Sequence, residues 1–236
     1  YDEKGNELKA GSGKAGNICI RNPWPGVFQT IWGDPERFVK TYYEKYCKNK
    51  DSKDWRDWPY FAGDGATQAA DGYFRVLGRV DDVINVAGHR LGTKELEAAA
   101  LTVEEVAEAA VVPAIDELRG RIPEMYIALK PGYNPGKGVE EKVKDAIDKI
   151  IGKFARPRNV WLVPDMPKTR SGKIMRRVIA AVSNFMDVGD VTTLANPEVV
   201  ETIRKMVQTE KARRGEVPKD LPKEVLEEIK RFGAVE

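Results

Sequence analysis

Pro167-Lys168-Thr169-Arg170-Ser171-Gly172-Lys173-Ile174-Met175-Arg176-Arg177 sets five cations around a Ser-Gly turn. A strand pattern at Asn159 to Val163 leads directly into it, and an apolar-periodic helix follows, predicted to begin near Ile174. The first N–H groups of a helix have no partner within it, so such a junction can receive an anion. Gly172 permits a backbone that other residues resist. Lys173 is therefore the candidate for placing one ammonium against a phosphate. The plain alternative is a solvated basic face, the commonest use of such a run.

Outward from this stretch the chain alternates between the two apolar periods. Upstream, Thr93 is expected to cap a helix running to Leu101, with Glu95 and Glu97 in its first turns, where a helix N-terminus favours acids. Ala109 to Val112 and Met125 to Leu129 read as strands. The segment from Lys137 to Phe154 reads as a helix whose Val139, Val143, Ile147, Ile150 and Phe154 line one stripe. Together with an apolar strand inside Arg79 to Thr93, these elements make a small α+β domain over 83–185. Before it, residues 1–78 form a β-rich, loop-rich lobe. Asn17 to Arg21 and Gly72 to Gly78 are its strand candidates, and Asp34-Pro35 opens a helix that carries Phe38, Val39, Tyr42, Tyr43 and Tyr46. Those aromatics read as packing rather than as a ligand box. After the domain, residues 186–236 read as a tail. Pro197 starts a short helix through Val199, Val200, Ile203 and Met206, a charged linker spans Glu210 to Asp220, and a last helix has Pro222 near its start and Gly233 past its end.

Composition narrows the function classes. The 236 residues are 42% apolar, and 39 basic against 37 acidic residues leave a net charge of +2. Nothing in that balance calls for nucleic acid or an anionic membrane as partner. Two cysteines, Cys19 and Cys47, cannot make a disulfide framework, and with the single His89 they cannot complete a zinc site without carboxylates. No metal site is expected, and a reducing, cytoplasmic compartment is. No apolar run approaches the roughly 18 residues of a membrane span. Because the sequence opens on Tyr1 inside a turn-like segment, it reads as a piece of something longer.

Four further positions carry possible chemistry. Asp64, between Gly63 and Gly65, could accept both hydroxyls of a ribose, or simply form an Asp-Gly turn. Arg79 and Arg90 flank Asp81-Asp82. A guanidinium can hold a phosphate bidentately with a carboxylate steadying it, and a surface ion pair is the alternative. Ala87-Gly88-His89 offers a narrow channel past Gly88, or a tight turn between strands. His89 lacks a nearby nucleophile with an orienting acid, which leaves little for a general base to do.

Jointly these segments are more specific than any one of them. Phe61-Ala62-Gly63-Asp64, then Gly78-Arg79-Val80-Asp81-Asp82, then Val86-Ala87-Gly88-His89-Arg90-Leu91-Gly92-Thr93, and finally Pro167 to Arg177 closely resemble the AMP-forming acetyl-CoA synthetases of the adenylate-forming superfamily. The resemblance runs from Tyr1 to about Met206 and includes Thr193-Leu194-Ala195-Asn196-Pro197. Residues 207–236 look like an extension.

What the resemblance implies is position-specific. Residues 1–78 would be the C-terminal lobe of a larger N-terminal adenylation domain, 79–82 a hinge, and 83–185 a mobile C-terminal domain. Asp64 and Arg79 would contact the ribose of ATP or the acyl-adenylate, and Arg90 its phosphate. Asp81 would be the hinge residue, and Ala87 with Gly88 would line the tunnel for coenzyme A. Lys173 would approach the carboxylate and α-phosphate as the adenylate forms, then swing away. The implied substrates are a short carboxylate, ATP with Mg2+, and CoA. The implied partners are the rest of the same enzyme and an acetyltransferase and deacetylase acting on Lys173. Ala87 stands where many of these enzymes have Ser, and Val112 to Asp116 departs from the usual Gly-Ile-Pro-His run. A phosphate loop and an acyl pocket are absent from this stretch, so it is not expected to form acyl-adenylate alone. The rival reading is a non-catalytic module that grips nucleic acid through Lys168 to Arg177, which a steep salt dependence would mark.

Overall fold

This computed structural model describes residues 1–80, 82–86, 89–116, 120–133 and 138–233, with residues 85, 86, 89 and 90 as backbone. The chain divides into two compact units, Tyr1–Val83 and Ile84–Glu236. The fold is mixed, with two small sheets and six helices among the described residues.

In the first unit, β1 (Gly16–Ile20), β2 (Tyr60–Gln68) and β3 (Phe74–Arg79) form an antiparallel sheet in that order. Helix α1 (Pro35–Tyr42) starts as expected. The Asp34 side chain accepts from the Arg37 N–H, and Pro35 takes the first position, where no N–H is needed. The aromatics pack together: Tyr42 stacks on Tyr60 at 5.5 Å, and Phe28 meets Phe38 edge-on at 4.9 Å. Asp64 lies within β2, so the Asp-Gly turn is corrected to a strand position opposite Arg79.

The second unit is built on β4 (Ile84–Val86), β5 (His89–Leu91), β6 (Val106–Asp116), β7 (Gly120–Leu129) and β8 (Val160–Leu162). The order is β5-β4-β7-β6, and β8 runs parallel to β7 while the other pairs are antiparallel. Alternate residues of one strand face opposite sides of a sheet, so an unbroken apolar run needs cover on both. Val111, Met125 and Ile127 pack with α2 (Thr93–Ala100) and α3 (Val139–Ile150), through Leu96, Ala99, Val143 and Ile147. Ala110, Val112, Tyr126 and Ala128 face the other way, onto Val178, Ile179 and Val182 of α4 (Arg176–Ser183) and Ile203 and Val207 of α5 (Glu198–Arg213). The sheet is sandwiched between two helix pairs, and each fully buried aliphatic or aromatic side chain contributes about 1.5–3 kcal/mol. Helix α6 (Lys223–Phe232) packs on α5 and buries Ile229.

Several boundaries differ from the sequence expectations. Thr93 is the first residue of α2 and not its cap; Gly92 occupies the cap without a side-chain bond, and Thr93 is buried. Helix α3 ends at Ile150 because Gly152, at φ +129°, turns the chain, which leaves Ile150 and Phe154 exposed rather than in the stripe. The expected linker from Glu210 to Asp220 begins as helix, since α5 runs to Arg213.

Candidate functional site

Lys173 sits at the closing end of a tight hairpin. The Gly172 N–H donates to the Thr169 carbonyl at 2.8 Å, and the Thr169 N–H donates to the Lys173 carbonyl at 2.9 Å. Gly172 stands at φ +79° with open space where a Cβ would be, so its requirement is conformational. Lys168 then pairs with Ile174 across the hairpin, and the Met175 N–H reaches the Pro167 carbonyl at 2.8 Å. That pairing delays the helix, so α4 begins at Arg176 and not near Ile174.

The five cations separate into two groups. The Lys168 ammonium lies 2.8 Å from both Glu108 and Asp165. Arg176 grips Glu97 through Nε and Nη2, each at 2.7 Å. Arg177 holds the Val188 and Asp190 carbonyls. These three are structural. Among the described residues, the Lys173 and Arg170 side chains have no hydrogen-bond or ion-pair partner, and both are exposed. A nucleic-acid grip made of the whole run loses three of its five cations to internal pairing, and the arrangement displays the Lys173 ammonium and the Arg170 guanidinium on a firm base.

Electrostatics reinforce the base. Burial would raise the Asp165 carboxyl, but the Lys168 ammonium and the Met166 N–H outweigh it and hold the group below the usual carboxylate range. Lys168 is held above its ordinary value by its bonds to Asp165 and Glu108.

In the first unit, β2 and β3 bring Asp64 and Arg79 opposite each other in register. Arg79 Nη1 stands 3.9 Å from Asp64 Oδ1 and donates to the Ala62 carbonyl at 3.0 Å. A Cβ on Gly63, at φ +78°, would fall 2.6 Å from the guanidinium nitrogens, so the glycine leaves room for Arg79 to cross the strand. Both side chains are partly exposed, and Arg79 lines a mouth together with Tyr42, Phe61 and Gly63. Such a pair suits a polyhydroxylated, anionic ligand.

The remaining sequence candidates are less defined. Arg90 lies on β5, where the backbone pairs with Asn85. Asp81, Ala87 and Gly88 lie outside the described residues. Sequence reading missed Glu97, Glu108 and Asn196, which hold the hairpin from α2, β6 and the tail. The signals for Asn196 are its place before Pro197 and within the Thr193-Leu194-Ala195-Asn196-Pro197 stretch that carries the resemblance. Among the described residues, no three His, Cys, Asp or Glu side chains converge on a metal-sized site, and no helix is long and apolar enough to cross a membrane.

Residues 95–173 match the family model of the AMP-binding enzyme C-terminal domain. Over 88% of its length the chain is 46% identical to an acetyl-coenzyme A synthetase of Rubrobacter xylanophilus, and it spans 30% of that protein. Among solved structures, an anthranilate CoA ligase in complex with anthranoyl-AMP aligns with a TM-score of 0.63 and 26% identity, over 77% of this chain and 32% of that one. An acetoacetyl-CoA synthetase from Streptomyces lividans shares the fold with a TM-score of 0.70 at 19% identity, over 89% of this chain and 30% of that one. The chain thus spans about a third of the length of the proteins it is similar to.

Proposed function

We propose, because residues 95–173 match the family model of the AMP-binding enzyme C-terminal domain, that this chain is the C-terminal portion of an AMP-forming acetyl- or short-acyl-CoA synthetase. In the whole enzyme a carboxylate oxygen attacks the α-phosphorus of ATP and pyrophosphate leaves. The thiol of CoA then attacks the acyl carbonyl and AMP leaves. The observation that carries this reading is the Lys173 hairpin, where three neighbouring cations are spent on the fold and the ammonium of Lys173 is left to act.

In this reading Lys173 neutralises charge gathering between the carboxylate and the α-phosphate. Asp64 and Arg79 hold the ribose, and Arg90 approaches the phosphate. Asp81 is the hinge about which residues 83–185 rotate between the two half-reactions, and Ala87 with Gly88 lets the pantetheine thiol pass. Magnesium enters with the phosphates of ATP, and no step is assigned to an ion held by this chain. Acetylation of Lys173 by a partner enzyme in the cytoplasm would remove the charge the first half-reaction depends on.

The test is made in the full-length enzyme. Lys173→Ala should abolish carboxylate-dependent ATP–pyrophosphate exchange while thioester formation from supplied acyl-AMP and CoA continues. Exchange at the normal rate in that variant would rule the role out.

A further inference from the structure

Because the Lys173 ammonium has no side-chain partner among the described residues, its position depends on what fixes the backbone of its hairpin. The approach to the hairpin is held by a residue far downstream. Asn196 accepts the Lys168 N–H on Oδ1 at 3.0 Å, while its Nδ2 donates to the Met166 carbonyl at 2.8 Å and to Asp165 Oδ2 at 2.9 Å. One planar amide supplies the acceptor and both donors, a set that neither a carboxylate nor an alkyl group can offer. The neighbouring backbone adds to it. The Ala195 N–H donates to the Lys168 carbonyl at 2.8 Å, and Leu194 pairs with Thr169.

Asn196 is itself held. Helix α5 begins two residues later and is packed onto α4 through Val200, Ile203 and Val207. Its far end is pinned by the buried Lys211 ammonium, 2.8 Å from Glu124 and 2.8 Å from the Ser183 carbonyl at the end of α4. A rigid path therefore runs from the core along α5 to the base of the hairpin.

We infer that Asn196 is a positioning residue for Lys173, so that the segment after α4 takes part in adenylate formation by fixing the lysine rather than by touching substrate. The inference rests on the role of Lys173 proposed above. A displacement of about 1 Å at a reacting group can cost on the order of 100-fold in rate.

The experiment uses the full-length enzyme with Asn196→Ala and Lys173→Ala side by side. For Asn196→Ala, kcat of ATP–pyrophosphate exchange should fall about 10- to 100-fold with the KM for ATP nearly unchanged. Thioester formation from supplied acyl-AMP should stay within about twofold, which also reports a folded enzyme. Exchange at the normal rate, or an equal fall in both half-reactions, would overturn the positioning role while leaving Lys173 itself in place. Undiminished exchange in Lys173→Ala would overturn the functional reading, and this inference with it.

Discussion

Arg176, the first residue of α4, and Glu97, on α2, are joined across the free edge of β6 by two bonds of 2.7 Å. The same carboxylate accepts the Val111 N–H of β6 at 3.1 Å and lies 3.2 Å from the Lys94 ammonium. An unpaired sheet edge is a liability, and this one is closed by side chains. Further along it, Asn184 accepts the Ile115 N–H at 2.7 Å and donates to the carbonyl of Pro113, a residue with no N–H to satisfy. The Lys173 hairpin is thus fastened to an edge that would otherwise be open.

Glu97→Ala removes the carboxylate that the Arg176 guanidinium and the Val111 N–H share. Breaking such a pair from one side costs about 3–5 kcal/mol. Urea unfolding of the chain should show a loss of this size, and a cost below about 0.5 kcal/mol would place the pair among ordinary surface contacts.

A second buried pair should behave non-additively. Lys211 and Glu124 are 5% and 1% exposed, and Ser183, Asn159 and Trp161 also donate to that carboxylate. Lys211→Met should cost about 3–5 kcal/mol by stranding the charge. Lys211→Met with Glu124→Gln should cost less than the two single changes summed, because the neutral amide needs no counter-ion. A double-mutant cycle measures the difference, and strict additivity would show that the two groups do not interact.

The helices and central strands were legible in the sequence because burial imposes the two apolar periods, as Leu96 and Val143 show against Val111 and Ala110. Strands β6 and β7 proved longer than expected because Pro113 and Pro123 look like breaks. In register they face each other, so their missing N–H groups coincide at one rung. The basic turn was legible as a turn, but not which of its cations were free. Arg176 depends on Glu97, 79 residues away, and Lys168 on Glu108, and pairing across such distances leaves no local pattern. Asn196 lies just before Pro197, where a helix is expected to start. Its side chain instead turns back to residues 165–168, and α5 has no side-chain cap.

Two glycines separate conformational from steric need. Gly172→Ala meets nothing within 4 Å and should cost only the left-handed backbone penalty, about 1–2 kcal/mol, without disturbing Arg79. Gly63→Ala places a methyl 2.6 Å from the Arg79 guanidinium and must move it, so AMP affinity of the full-length enzyme should fall about tenfold or more. Gly65→Ala, whose nearest neighbour is 3.7 Å away, is the control and should bind AMP nearly as the parent does. Titration calorimetry of the three variants decides it; equal affinities for the Gly63 and Gly65 changes would overturn the proposed contact of Arg79 with the nucleotide.

The Asp165–Lys168 contact predicts a plateau in pH. Asp165 has a lowered value when folded, so its contribution is present above the ordinary carboxylate value of 3.8 and is lost as pH falls through the lowered one. Lys168 has a raised value, so its contribution is complete below 10.5 and is lost as pH rises through the raised one. Between about pH 5 and 9 neither group changes charge, and the base under Lys173 keeps its strength. The stability difference between the parent chain and Lys168→Met, followed by urea unfolding, should therefore be constant across that window. It should narrow below about pH 4, where protonating Asp165 removes the contact from the parent as well. A difference that drifts between pH 6 and 9 would mean that another titrating group, and not this pair, holds the approach to the hairpin.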